Sequence, residues 1–273
     1  MSSNLQKRWL VAFWGVPSAI AAAYFGGWFL TAGVVLLCAF ATREMERFLR
    51  SSNMPGIRWI IYLFAIALPI LIHWKGTEFL FPLILFSILL SGIISLRYSV
   101  GDGFQKLVTT FFSITFIVLP YITLLLIRDS EVWANNVDGA VIIMYIVGGV
   151  WITDSFAYAI GKNFGKHKLA PKMSPNKTVE GGIGGIVSGI IWGYSAGFLL
   201  VDYLSIVDRL LIGLFIGLFA ILGDMVESMI KRNVGVKDSG GAFPGHGGVY
   251  DRFDSLHFVA PVVYMYLFFL DKI

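Results

Sequence analysis

Residues 210–230 read LLIGLFIGLFAILGDMVESMI, and no charged residue appears before Asp224. A helix needs roughly 20 mostly apolar residues to span the hydrocarbon of a bilayer. The stretch therefore reads as a membrane-crossing helix whose last turns carry Asp224, Glu227 and Ser228. Working outward from it, comparable runs recur along all 273 residues. They predict nine spans: Trp9–Tyr24, Trp28–Phe48, Trp59–His73, Phe79–Leu96, Leu107–Ile127, Ala140–Ile160, Ile183–Val201, Leu210–Ile230 and Leu256–Leu270. The second is apolar only to Ala41; Arg43, Glu44, Glu46, Arg47 and Arg50 are expected to form a charged interfacial continuation.

Composition agrees. The chain is 57% hydrophobic and 14% charged, with a mean hydropathy of +0.76, whereas soluble domains carry about 25% charged residues. The reading is all-α, a polytopic integral membrane protein forming one transmembrane domain, 1–273. Within it, 1–137 holds N-terminal spans for scaffolding, dimerisation or lipid access, and 138–273 holds the catalytic spans and loops. The single cysteine, Cys38, sits in an apolar run and forms no internal disulfide. Ala19-Ile20-Ala21 resembles a signal-peptidase site, but the many following spans favour an uncleaved first helix.

Basic residues set the orientation. With the amino terminus in the cytoplasm, only Lys75, Arg128, Arg209 and Lys272 of the 21 Lys and Arg residues fall outside. An odd number of spans then puts the carboxyl end outside, with loops 161–182 and 231–255 in the cytoplasm. Gly181, Gly185, Gly189, Gly193 and Gly197 recur every fourth residue, a face on which another helix can approach closely.

Ionisable groups within spans are costly and face protein or a watery cavity. Asp154, Tyr158 and Lys162 stand four apart on one helix face. Asp224, Glu227, Ser228 and Lys231 share another, and Glu227 is expected to orient Lys231. An interhelix salt-bridge ladder would use such stripes, but it would not explain the loop that follows. Lys231 to Asp254 sets three carboxylates and several cations among glycines, including Arg232, Lys237, Asp238, His246, Gly247, Gly248, Asp251 and Arg252. Hard oxygen ligands at that density suit Mg²⁺, which commonly binds one or two carboxylates plus substrate phosphates. Glycines let backbone N–H groups approach phosphate, and Lys and Arg offset its charge. The earlier loop adds Lys166, Lys172, Ser174, Lys177, Thr178 and Glu180, combining turn residues with phosphate-type donors; basic cytoplasmic loops also serve as topology signals and headgroup contacts. No Walker loop and no paired zinc ligands occur. His73, His167 and His257 are isolated and read as structural or interfacial.

Ser228 to Asp254 resembles the signature of the phosphatidate cytidylyltransferase family throughout: Ser-x-x-Lys-Arg, Lys-Asp, then Pro-x-His-Gly-Gly-x-x-Asp-Arg-x-Asp. Asp154 with Ala157-Tyr158, Ser174-Pro175 with Lys177-Thr178 and Glu180-Gly181, and Gly223-Asp224 with Glu227-Ser228 are also similar to family patterns. The motifs lie between Asp154 and Asp254; the first five spans match only in number and hydrophobicity. The resemblance implies CTP and phosphatidic acid as substrates, Mg²⁺ with room for a second metal or monovalent cation, and a homodimer among membrane lipids with no nucleic-acid partner.

The expected step is attack of a phosphatidate oxygen on the α-phosphorus of CTP at the cytoplasmic face of the inner membrane, within phospholipid biosynthesis. Expected metal ligands are Asp224 and Asp251, with Asp238 and Asp254. Lys231, Lys237, Asp238, His246 and Arg252 are expected to act in catalysis. Asp154, Lys166, Lys172, Ser174, Lys177, Thr178, Glu180, Glu227, Ser228, Arg232, Gly247 and Gly248 are expected to hold substrate and phosphate. A CTP-dependent polyprenol or phytol kinase, a cytidylyltransferase for other anionic lipids, an ion-coupled transporter and a structural membrane subunit remain as alternatives.

Overall fold

The structure, a computed structural model, describes residues 15, 17–130, 136–236 and 248–270. It is helical almost throughout, as the apolar runs require. Among the described residues seven helices are long and apolar enough to cross a membrane: Gly27–Ser51, Arg58–Lys75, Thr77–Ser95, Val100–Arg128, Gly139–Phe164, Val179–Leu200 and Ile206–Asn233. Of the first expected span only helix α1, 17–25, is described. The last expected span lies within helix α10, Tyr250–Phe269. The chain forms two compact units, one of residues up to Asp129 with Asn233–Arg252, the other of Ser130–Arg232 with Phe253–Ile273.

In the first unit, α1 reverses into α2 (Gly27–Ser51) at Gly26, whose φ of 61° suits glycine. Arg128 donates there from Nε to Ala23 O (2.8 Å) and from Nη2 to Tyr24 O (3.0 Å). These are C-terminal carbonyls of α1 that lack partners within the helix. Arg128 is thus a buried cap, 7% exposed. Helix α2 packs on α3 (Arg58–Lys75), burying Val34, Cys38, Ala41 and Met45 with Ile61, Phe64 and Leu68. The helix runs unbroken to Ser51, and within its charged continuation Glu44 and Glu46 are buried.

After a 3₁₀ turn, Thr77–Phe79, comes α4 (Leu80–Ser95), apolar except for a buried face of Ser87, Ser91 and Ser95, followed by α5 (Val100–Phe112) and α6 (Leu119–Arg128). A π-helical segment, Ser113–Val118, joins α5 to α6. Pro120, near the start of α6, has no N–H to bond back one turn, and a wider turn absorbs that gap.

The second unit begins with α7 (Asn136–Phe164). It continues through a two-stranded antiparallel hairpin, β1 (Lys168–Ala170) and β2 (Ser174–Thr178), into α8 (Val179–Leu200) and α9 (Ile206–Asn233). The sequence reading expects a loop where the hairpin stands. Thr178 Oγ1 accepts the Gly181 N–H (3.1 Å) and caps α8. The glycine repeat does bring backbones together. A Cβ at Gly189 would lie 2.7 Å from Gly213 O and 2.9 Å from Gly217 Cα, and one at Gly193 would lie 2.8 Å from Gly213 Cα. Side-chain bonds fasten α7 to the same pair: Trp192 Nε1 donates to Tyr145 O, and Tyr145 Oη donates to Gly193 O, both at 2.9 Å. At the far end of α9, Ser205 and Asp208 accept each other's N–H at 3.1 Å, a reciprocal cap, and Tyr266 of α10 donates to Asp208.

Candidate active site

Asp224 and Glu227 stand one turn apart on α9, so their side chains leave the same helix face. Helix α10 brings Asp254 to them because residue 223 is glycine. A Cβ there would meet Asp254 O at 2.6 Å and Phe258 Cδ2 at 3.2 Å. Ser255 adds a bond from Oγ to Ala220 O (3.2 Å) that holds the two helices in register. The result is three carboxylates, Asp224, Glu227 and Asp254, each offering an oxygen within 4.8 Å of the others. Asp254 also accepts the N–H of Ser255 (2.7 Å).

Two lysines converge on this cluster. Lys177 reaches from β2 and ion-pairs with Asp224. Lys231, one turn beyond Glu227, bonds its Oε2 at 2.6 Å; Glu227 is 1% exposed. Glu227 thus pairs with Lys231, and its carboxylate belongs to the cluster as well. Ser228 Oγ lies 3.4 Å from Asp224. Asp154 on α7 is close enough to interact electrostatically with Asp224, Asp254 and Lys177. Four acidic groups against two lysines leave an excess of negative charge. Crowded carboxylates repel unless cations lie among them, and hard oxygen donors in this number suit a divalent ion such as Mg²⁺. The donor set fits.

Neighbouring residues build the frame. Arg232 donates from Nε to Met173 O (3.2 Å), tying the end of α9 to the hairpin. Glu180 accepts from the N–H groups of Lys166 and His167 and pairs with His167 Nδ1 at 2.6 Å. It braces the turn before β1, which the sequence reading had not foreseen. Thr178 is occupied as the cap of α8, while Lys166 and Lys172 are exposed and Ser174 is half-buried. Tyr158 and Lys162 share a face as expected, the ammonium 5.8 Å from the ring centre.

In the first unit, Asp251 and Arg252 occupy the first turn of α10, and Asp251 Oδ2 accepts the Gly248 N–H (2.9 Å). The start of that helix is clamped by a residue to which sequence reasoning assigned no role. Glu44 accepts the N–H of Val249 through Oε1 (2.9 Å) and of Tyr250 through Oε2 (2.8 Å). The available signal was a carboxylate at the end of an apolar helix, where charge needs a partner. Replacing Glu44 with Ala leaves two buried donors without an acceptor, at about 1–3 kcal/mol each. The purified variant should melt at a clearly lower temperature, with Glu44→Gln in between, as measured by thermal unfolding in detergent. Lys237, Asp238, His246 and Gly247 lie outside the described residues.

Comparison with known proteins follows the same line. The profile of the Cytidylyltransferase family matches residues 6–270. Phosphatidate cytidylyltransferase of Bacillus subtilis (strain 168) is 40% identical over 225 residues, 80% of each chain. The protein of that name from Aquifex aeolicus (strain VF5) is 34% identical over 85% of this chain and 79% of its own. The one from Synechocystis sp. (strain ATCC 27184 / PCC 6803 / Kazusa) is 31% identical over 97% of both. A family profile that spans nearly the whole chain, together with relatives 31–40% identical over 80–97% of it, makes this chain a member of the cytidylyltransferase family.

Proposed function

We propose that the chain is a phosphatidate cytidylyltransferase that joins CTP to phosphatidic acid, giving CDP-diacylglycerol and pyrophosphate. The observation that carries the reading is the cluster of Asp224, Glu227 and Asp254 with Lys177 and Lys231 bonded into it. A phosphatidate oxygen attacks the α-phosphorus of CTP, the bond from that phosphorus to the β-phosphate bridge breaks, and pyrophosphate leaves with the electron pair. A phosphate monoester has a second pKa of about 6, so the nucleophile is already ionised near neutral pH and needs no strong base. The difficulty is electrostatic, since two polyanions must meet.

Asp224, Glu227 and Asp254 would hold the divalent ion, with Asp251 and Asp238 as further ligands suggested by the family resemblance. When bound, such an ion neutralises phosphate oxygens and stabilises the departing pyrophosphate. Lys177 and Lys231 stand where they can exchange their carboxylate partners for phosphate oxygens. Arg232 steadies the hairpin that carries Lys177. The resemblance adds Lys237, His246 and Arg252 on the phosphate side. The reading includes a multi-pass location in the inner membrane, a cluster facing cytoplasmic CTP, and a homodimer; the basic-residue bias supports the orientation.

The test is to incubate the purified full chain with cytosine-labelled CTP, phosphatidate and Mg²⁺. Label should enter the lipid phase with release of pyrophosphate. Phosphorylated lipid plus CDP would instead identify a CTP-dependent lipid kinase, and no turnover without an ion gradient would remove the enzyme reading. Lys177→Ala should lower kcat/KM for CTP about 10- to 100-fold, the range of a lost charge-assisted hydrogen bond. Steady-state rates at varied CTP check this.

A further inference from the structure

A second polar feature lies in the first unit. Between the end of α2, the start of α3 and the turn joining α4 to α5 is a cavity of about 690 Å³. That volume falls in the range of small-ligand sites. Arg50, Arg58 and Lys106 line it, with Trp59, Tyr98 and Asp102. Its charges are arranged unevenly. Arg50 donates from Nε and Nη2 to Glu46 Oε1 at 2.9 and 2.6 Å, and Arg58 Nε lies 3.3 Å from the same oxygen. One buried carboxylate thus serves two guanidinium groups whose side chains are 52% and 56% exposed. Lys106 adds a third cation, resting 4.7 Å from the Tyr98 ring centre. Asp102 is engaged locally, bonded to Ser99 Oγ (2.7 Å) in the cap of α5.

The walls are built and not incidental. Ile57 N–H donates to the buried Thr110 Oγ1 (2.8 Å), and Gln105 Nε2 donates to Asn53 O. Gly56 is pressed in place, since a Cβ there would meet Ile61 Cδ1 at 2.6 Å. Asn53 itself holds a φ of 58°, a conformation that non-glycine residues seldom adopt and Asn tolerates best. The cavity lies where α2 and α4 end and α3 and α5 begin, and helices long enough to cross the hydrocarbon have their ends near the headgroups. Trp59 and Tyr98 are exposed there, as amphipathic rings are at membrane interfaces.

We propose that this cavity receives the phosphate headgroup of an anionic glycerophospholipid from the surrounding bilayer, as a site separate from the carboxylate cluster. Fork-shaped guanidinium groups match phosphate oxygens, and the aromatic rim matches the glycerol and upper acyl region. A free phosphate offers the same anion without anything for that rim.

The test is native mass spectrometry of the full chain given equal phosphatidylglycerol and phosphatidylcholine. Wild type, Lys106→Gln and the double variant Arg58→Gln/Lys106→Gln are compared. Wild type should retain phosphatidylglycerol preferentially, and the preference should fall about fivefold for each cation removed. Arg50 still pairs with Glu46 in both variants. Lys106→Gln breaks no ion pair, so it decides the matter even if the double variant unfolds. Excess inorganic phosphate should leave the lipid bound. An equal lipid ratio in wild type and Lys106→Gln would overturn the proposal. So would displacement by inorganic phosphate, which would mark a site for the free anion.

Discussion

Asp224→Asn should lower CDP-lipid formation by at least on the order of a hundredfold, while the protein stays folded. Loss of a group that merely supports a metal ligand costs 10- to 100-fold, and Asp224 sits at the centre of its cluster. Asparagine keeps the shape and removes the charge, which takes away both a hard oxygen donor and the partner of Lys177. Stability should not suffer, because removing one of several crowded carboxylates relieves repulsion. The measurements are initial rates across a Mg²⁺ titration, where the requirement should rise, and a melting curve. A rate within a few-fold of wild type would take Asp224 out of the ligand set. Glu227→Gln differs instructively, since it would break the buried ion pair with Lys231. Breaking a buried pair costs about 3–5 kcal/mol, so that variant should lose stability along with activity.

The other large effect is on assembly of the fold. Gly213→Leu should yield little or no monodisperse protein. At that position even a Cβ would lie 2.5 Å from Gly189 O and 2.9 Å from Gly193 Cα. Both neighbours are backbone and cannot rotate aside. Overpacking by one or two methylenes typically costs 1–3 kcal/mol, and a leucine between two touching helices exceeds that. Gly182→Ala is the control, because a Cβ there meets only Leu169 Cδ2 at 3.7 Å, ordinary contact. Size-exclusion profiles of the two variants should diverge; similar profiles would mean that α8 and α9 pack differently.

What the sequence disclosed was local. The lengths of the apolar runs announce the transmembrane helices, because crossing hydrocarbon imposes a length on each segment independently of its neighbours. The stripe of Asp224, Glu227 and Lys231 is legible for the same reason, with spacings of three and four fixing one face. Pairings across distance were not legible. The glycine repeat of α8 promised a close helix, but nothing near it named Gly213 and Gly217. Asp254 reaches the cluster only because α10 rests on Gly223. The hairpin escaped because Pro175 and Lys177 are poor strand residues, and pairing with Lys168–Ala170 overrides their preference. Nor could spacing tell that Arg128 caps α1 or that Glu46 is buried.

The clamp at the head of α10 has a consequence for biosynthesis. Glu44 is made 205 residues before Val249, whose N–H it accepts. At about 5–20 residues per second, the ribosome takes roughly 10–40 s to cover that interval. Through that time the glutamate waits without the donors that will finally engage it, and Asp251 and Asp254 do not yet exist. Asp224 and Glu227 therefore cannot meet Asp254 early, and the carboxylate cluster forms in one step with the last helix.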